Sequence, residues 1–323
     1  MPKVSLVIPN WNGRKLLPAC LTSVFSQNFT NFEVILVDNG STDNSVSYVR
    51  KNFPQVKIVK LSKNFGFAKA VNLGIEKSLA PFVTLLNNDT KVDINWLKNL
   101  YGAILSNPKV FAVASKILQA KKPNLVDSAG DKINIVGQAH PAGYGERSEK
   151  FEKGRFVFGA TGAASIFRKE ILEKLGKFDE GFFFYFEDVD FALRAQIAGF
   201  KCWYQPSAVA YHLGGATASK LGNFIEYQRF RNTIFLVIKN FPTKLFFKRG
   251  RWWKIPAVFA HTFYFFVKKS WWWQVLRIIF DLLKNFPKLL IKRNKILSQM
   301  KVSIDYLDNL MEDKELKIAS FRI

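Results

Sequence analysis

Cysteine is nearly absent from this chain: Cys20 and Cys202 are the two in 323 residues. Far apart in a long sequence, they form neither a disulfide framework nor a metal-spaced pair, which points to a reducing compartment. Two phosphate-binding signatures are also missing. No GxGxxG follows the first apolar run and no GxxxxGK(S/T) occurs anywhere, so a dinucleotide fingerprint and a P-loop are both unsupported. Uncharged apolar runs stay short; one of the longest, residues 255–267, falls below the ~20 residues of a membrane-spanning helix. The opening MPKVSLVIPNWNG is broken at Pro9, too early for a secretory signal. A cytoplasmic protein is expected. Acidic residues are scarce beside basic ones, 25 against 48, for a formal net charge of +23. An anionic partner follows: nucleic acid, an anionic membrane surface or phosphorylated substrates.

With 48% hydrophobic residues the chain has ample material for a core, in one large domain or two. The stretch FVTLLNNDT, residues 82–90, organises the rest. Its apolar half reads as a strand buried on both faces, and it stops abruptly at Asn87, Asn88 and Asp89. An oxygen-rich cluster at a strand end suits a hard divalent ion carrying a diphosphate; a plain turn leading to a helix cap is the other reading. Three earlier apolar runs, residues 4–8, 32–37 and 56–61, behave alike. They end in Pro9, Asn10 and Asn12, in Asp38 and Asn39, and in Asn64 and Gly66, and helical patterns separate them. Strands alternating with helices at this spacing indicate a parallel α/β sheet, so these polar residues converge on one crevice with Asn88 and Asp89. Asp38 fits a ribose or pyrimidine contact, or equally an Asx-turn with Ser41.

Farther on, residues 121–154 read as a long polar loop, and GATGAASIF, residues 159–167, as strand material in which Gly162 allows close backbone approach to a ligand. The stretch FFFYFEDVDF places Glu187, Asp188 and Asp190 directly after aromatic residues and ahead of a helical pattern. Acids suit a helix N-terminus, which suffices for Asp190. An aromatic wall beside Asp188 would raise its pKa, as a general base for a sugar hydroxyl requires. His212, in YHLGG at a strand end, is one of only three histidines and is a candidate metal ligand.

From about Thr233 the composition shifts to lysine and arginine interleaved with tryptophan, including Trp252, Trp253 and the run at 271–273. Val275, Ile278, Ile279, Leu282, Leu283, Phe286 and Leu290 lie near one helical face, with Pro287 expected to bend or break the helix. A basic amphipathic helix with marginal tryptophans lies in the plane of an anionic membrane; an ordinary packed helical subdomain is the alternative. Nucleic acid fits the charge but not the clustered Trp, Phe and Leu, so no nucleic-acid partner is expected.

The motifs VSLVIPNWNG, VILVDNGSTDNS, LSKNFGFAKAVNLGI, LLNNDT, GATGAASIFRKE, FFFYFEDVDFALRAQIAGFK, VAYHLGG and RFRN, in this order over about residues 3–232, resemble a family 2 glycosyltransferase of the rhamnosyltransferase-like group that builds bacterial surface polysaccharides. By their composition residues 233–323 read as a membrane-associating helical region; the resemblance implies the GT-A fold, a Rossmann-like mixed α/β sheet flanked by helices, over residues 1–232. It also implies a nucleotide-diphosphate sugar donor (dTDP-rhamnose favoured), Mn²⁺ or Mg²⁺, inversion by direct displacement, and a lipid-linked or polysaccharide acceptor at the inner membrane face. Asp188 falls on the catalytic base. Asp89 and His212 fall on the metal site, with Asn87 where a first acid often stands. Pro9, Asn10, Asn12, Asp38, Asn39, Asn64, Gly66, Asn72 and Asn88 fall on the donor side, and Glu187, Gly162 and Trp203 on the acceptor side. Asn87 keeps a non-catalytic nucleotide-sugar scaffold open.

Overall fold

The computed structural model describes residues 1–214, 222–248 and 271–311, together with 253, 256, 260, 263–266, 268 and 269. Gly215 of the YHLGG motif, Trp252, much of the apolar run at 255–267 and the tail from 312 lie outside the described residues.

Four runs that end in polar residues become β1 (Val4–Asn10), β2 (Phe32–Asp38), β3 (Lys57–Lys60) and β4 (Phe82–Leu86). They pair in parallel, with β1 between β2 and β4 and β3 outside β2. Helices α1 (Leu17–Phe25), α2 (Ser45–Asn52) and α3 (Phe67–Lys77) make the crossovers. Alternate residues enter opposite cores, as the period of a strand requires: Val7 packs with Ala68 and Val71 of α3, while Leu6 and Ile8 pack with Leu17, Leu21 and Val49 of α1 and α2. Beyond β4 come β5 (Thr90–Val92), α4 (Trp96–Leu105) and β6 (Val110–Gln119).

The sheet is not parallel throughout. β11 (Ala164–Arg168) runs antiparallel between β4 and β6, and β12 (Lys201–His212) returns parallel to β6. β12 carries an irregularity in its pairing with β6 between Gln205 and Val209, where Pro206 withholds an N–H. The region 121–154, expected to be a loop, carries β7 (Lys122–Ser128), β8 (Asp131–Ile133) and β9 (Ala139–Pro141). Its glycines hid these strands: Gly130, Gly137 and Gly143 adopt positive φ and turn the chain tightly between short pairings. The short β10 (Arg155–Val157) closes the edge against β12.

Helices α5 (Lys169–Leu175) and α6 (Glu187–Ile197) cover the α3 face. Then α7 (Asn223–Asn240), α8 (Thr243–Phe247), α9 (Trp272–Ser298) and α10 (Ile304–Leu310) follow. The position 232/233 falls inside α7, whose polar side chains are driven into the fold. Lys239 is 1% exposed and lies 2.6 Å from both Asp179 and Asp190. Asn240 donates to Asp190 at 2.7 Å, and Asp190 also receives Arg194 at 2.9 Å. Burial would raise the Asp179 carboxyl, but Lys239 and Lys292 overcome it and hold it well below the usual range. Lys292 belongs to α9, so this network fastens both helices.

α9 runs unbroken through Pro287. The hydrogen bond Pro287 cannot make would go to Leu283, and both residues are exposed, so water takes the freed carbonyl. The single apolar face expected for α9 is two faces. Ile278, Val275 and Leu282 pack with Tyr227 and Ile234 of α7, whereas Leu276, Ile279, Phe280, Leu283, Phe286, Leu290 and Ile291 stay exposed.

Candidate active site

The loops after β1, β2 and β4 meet at one sheet edge. Asn10 is at its centre: its Nδ2 donates to Asp38 Oδ1 at 3.2 Å, and its Oδ1 accepts from Asn88 Nδ2 at 2.8 Å. Gly13 makes room for this, since a Cβ there would stand 2.2 Å from Asn88 Nδ2. Asp38 makes the Asx-turn, accepting Ser41 N–H at 3.1 Å. Asn12 Oδ1 accepts Thr42 N–H at 2.8 Å, and Pro9 sits in register with Val37 just before.

Other residues of the expected donor set are committed to the scaffold. Asn39 donates to Asn64 Oδ1 and to the Gly66 carbonyl, both at 3.0 Å, and accepts from Phe65 N–H. Asn72 staples α3 to Phe178, donating to its carbonyl at 2.8 Å and accepting its N–H at 3.1 Å. Gly66 is where the wall closes: with φ +89°, a Cβ would stand 2.4 Å from the Phe183 carbonyl oxygen. These residues hold the shape of the crevice.

Asp89 and His212 meet because β5 pairs antiparallel with β12, setting Thr90 opposite His212. Asp89 Oδ1 is 3.2 Å from His212 Nε2. The contact lacks hydrogen-bond alignment, so Oδ1 is buried without a hydrogen-bonding partner. The other ring nitrogen, Nδ1, is 2.9 Å from Asp127 Oδ2. Burial would lower the His212 pKa, but Asp127 and then Asp89 raise it to about 10. An orphaned carboxylate oxygen facing an imidazole nitrogen fits a divalent cation, which would take the proton's place on Nε2. Among the described residues no three His, Cys, Asp or Glu side chains form a ready-made cage; the remaining ligands would be diphosphate and water oxygens.

Asp188 stands in the first turn of α6. Its Oδ2 accepts Gly162 N–H at 3.0 Å and its Oδ1 accepts Val189 N–H at 2.8 Å. The Gly162 turn is tied to the metal arm, because Asn87 N–H donates to the Ala163 carbonyl at 2.9 Å. Burial raises the Asp188 pKa, opposed by the N–H of Gly162 and Val189. Neighbouring Glu187 is 6% exposed and its Oε2 has no partner; burial and the Asp188 charge push its carboxyl well up. Trp203 is not brought to this cluster. It packs edge-on against Phe156, donates to Gln205 at 3.1 Å, and joins the core on the sheet face opposite α6.

Three residues here were not anticipated. Asp127 touches His212. Asp131, 8% exposed, has an unpartnered Oδ2, and burial together with the Asp188 charge keeps its carboxyl well above the usual range. Both lie in the stretch misread as a loop. Asn232 is the third: fully buried, its Nδ2 lies 2.9, 3.0 and 2.7 Å from the carbonyls of Phe182, Phe184 and Tyr185. Phe183, Tyr185 and Phe186 all have positive φ, a strained conformation for bulky residues, and Asn232 clamps that segment immediately before Glu187 and Asp188. The RFRN motif was its only trace in the sequence.

A model of the glycosyl transferase family 2 domain matches residues 5–176. The chain belongs to this family. Its resemblance at the level of motifs therefore holds, and the curated relatives agree. An O-antigen biosynthesis protein, RfbC of Myxococcus xanthus, is 31% identical over 211 residues, covering 62% of this chain and 16% of that protein. The N-acetylglucosaminyl-diphospho-decaprenol L-rhamnosyltransferase of Mycobacterium tuberculosis is 25% identical over 248 residues, 69% of this chain and 77% of that one. The chain spans 16%, 44% and 34% of three of the curated relatives it matches. Among solved structures, GalNAc-T7 with UDP, GalNAc and Mn²⁺ superposes with a TM-score of 0.59 at 16% identity, over 73% of this chain and 48% of that one. The mannosyltransferase PcManGT of Pyrobaculum calidifontis, with GDP-Man and Mn²⁺, gives 0.55 at 17% identity over 88% and 87%. The fold is GT-A, a mixed sheet between helical layers.

Proposed function

We propose that this family 2 member is an inverting, metal-dependent glycosyltransferase. It moves a sugar from a nucleotide-diphosphate donor to a hydroxyl of a lipid-linked or polysaccharide acceptor. The single observation that supports the reading is the connection through Asn87 and the Gly162 turn: two hydrogen bonds link the half-buried Asp188 carboxylate, its pKa raised by burial, to the strand end that bears Asp89. Asn10, Asp38 and Asn88, buried and bonded to one another, brace the polar edge at which the nucleoside would be held. Asp89 and His212 would hold the cation, which when bound would supply charge stabilisation for the leaving diphosphate. Asp188 takes the acceptor proton as the oxygen attacks the face opposite the leaving group, so no covalent intermediate is needed. Burial and the Asp188 charge push the Glu187 and Asp131 carboxyls up further than burial pushes Asp188, so as pH falls those two take up protons first and Asp188 stays the better base of the cluster. The mycobacterial relative, named an L-rhamnosyltransferase, supports rhamnose as the sugar, and dTDP-rhamnose is the donor favoured by the motif resemblance.

Calorimetric titration with dTDP-, UDP- and GDP-linked sugars, with and without Mn²⁺ or Mg²⁺, tests this. Metal-dependent binding of one nucleotide class is expected. Silence across the panel would overturn a donor of these three classes and leave either a donor outside them or a non-catalytic scaffold.

The acceptor reading extends to the C-terminal region, residues 233–323, as a division of function. No helix among the described residues is long and apolar enough to cross a membrane. The exposed stripe of α9 is instead bordered by Arg277, Lys284 and Lys288, all exposed, which suits peripheral docking on the anionic inner face of the membrane. Docking there would bring Asp188 to a lipid-linked acceptor. Phe280→Glu with Leu283→Glu is expected to weaken sedimentation with phosphatidylglycerol vesicles by more than ~10-fold, since each side chain contributes about 1.5–3 kcal/mol on burial. Both residues point away from α7, so folding is retained. Wild-type protein that ignores these vesicles but dimerises through the stripe would sink the docking reading.

A further inference from the structure

The reason Asp127 reaches His212 is an irregularity in the sheet. β7 pairs antiparallel with β6, Leu118 opposite Val126 and then Ile117 opposite Ser128. One residue of β7, Asp127, is left over. Such a bulge bends its strand and re-aims the extra side chain. On the other side of β6, β12 sets His212 opposite Gln119, and the bulged carboxylate meets the ring there, Oδ2 2.9 Å from Nδ1.

The chemistry of the contact is directional. A neutral imidazole has one N–H and one lone pair, and an ionised carboxylate can only accept. Asp127 at Nδ1 therefore selects the tautomer with hydrogen on Nδ1 and the lone pair on Nε2. Nε2 is the nitrogen facing the orphaned Oδ1 of Asp89 at 3.2 Å. Ring orientation is fixed by the same contact, since Asp127 and Asp89 hold opposite edges of the imidazole.

We propose that Asp127 is a positioning residue of the metal centre: it holds His212 in the orientation and tautomer that present the Nε2 lone pair to a divalent cation shared with Asp89. The inference rests on the metal-dependent reading above and adds a residue to it. Carboxylates in this relation to a metal-bound histidine typically govern affinity by about 10–100-fold. An ion pair serving only to join β7 to β12 would affect stability and leave metal affinity alone.

The test is a titration of the full chain with Mn²⁺ alone, free Mn²⁺ being read by electron paramagnetic resonance. Asp127→Ala is expected to raise the Mn²⁺ Kd by roughly 10–100-fold. Asp127→Asn, whose carbonyl still accepts the Nδ1 hydrogen, recovers part of the loss. With ¹⁵N-labelled histidine, Mg²⁺-loaded wild-type protein shows Nδ1 protonated and Nε2 bare, and Asp127→Ala loses that preference. Asp89→Ala and His212→Ala serve as references. If both weaken Mn²⁺ binding while Asp127→Ala keeps the wild-type Kd, the metal centre stands and the positioning role is overturned. If neither reference weakens it, the metal reading falls and this inference falls with it. Should Asp127→Ala fail to fold, Asp127→Asn carries the comparison, and a wild-type Kd and tautomer in that variant overturn the proposal.

Discussion

Asp188→Asn is expected to lower kcat by about 10²–10⁴-fold, the range that a positioned general base contributes, while donor binding persists. The substitution nearly conserves volume but not hydrogen bonding. Both Asp188 oxygens accept backbone N–H groups, from Gly162 and Val189, and an amide offers only one acceptor oxygen. One N–H is left facing an NH₂ group, so a local adjustment of the Gly162 turn accompanies the chemical loss. Unchanged metal-dependent binding of the donor shows that the adjustment stays local, because the hydrogen bond from Asn87 N–H to the Ala163 carbonyl would carry a larger shift of the turn into the strand end that bears Asp89. The pH profile is a second check. A base acts when deprotonated, and burial raises the Asp188 pKa; activity is therefore lost, as pH falls, at a higher pH than an ordinary aspartate would give. Wild-type turnover in Asp188→Asn would remove it from the role of base.

Asp89→Ala is the second large effect: a loss of roughly 10²–10³-fold in kcat/KM, the scale for removing one group that stabilises developing charge. Mn²⁺ would no longer strengthen donor binding. Some stability is lost as well, since Asp89 faces His212 at 3.2 Å and helps to raise its pKa, while the link from Leu213 N–H survives because it runs to the Asp89 backbone carbonyl. Lost metal dependence in a variant that still folds marks a residue kept for a ligand. Metal-dependent donor binding at wild-type strength in Asp89→Ala would rule out the Asp89–His212 site.

The helices α7 and α9 bear on these experiments. Asn232 and Lys239 of α7 reach the aromatic segment and Asp190 around Asp188, and Lys292 of α9 reaches Asp179 at 2.7 Å. Truncation before α7 would release the strained run at Phe183, Tyr185 and Phe186 and disturb Asp188 without touching it. Point substitutions on the exposed stripe of α9 therefore probe docking more cleanly than deletion.

Local chemistry determined much of this protein from sequence alone. Apolar runs of strand length that stop in Asn and Asp give β1, β2 and β4 and their polar edge, because burial on both faces and an abrupt change to acceptors are properties of a short segment. Asp188 at the start of α6, Asp89 after β4 and His212 at the end of β12 were legible in the same way. The tertiary structure alone decided which partners the polar residues take. Asn39 and Asn72 look in sequence like Asn10 and Asn88, yet their amides bond backbone groups more than twenty residues away, whereas Asn10 and Asn88 bond each other across the sheet edge. It also decided where Asp127 points, through a bulge that depends on pairing with β6, and which apolar face of α9 is covered, through packing on α7. Hydrogen-bond partners and helix contacts at long separation are set by how elements come together, and no window of sequence contains both sides of the contact.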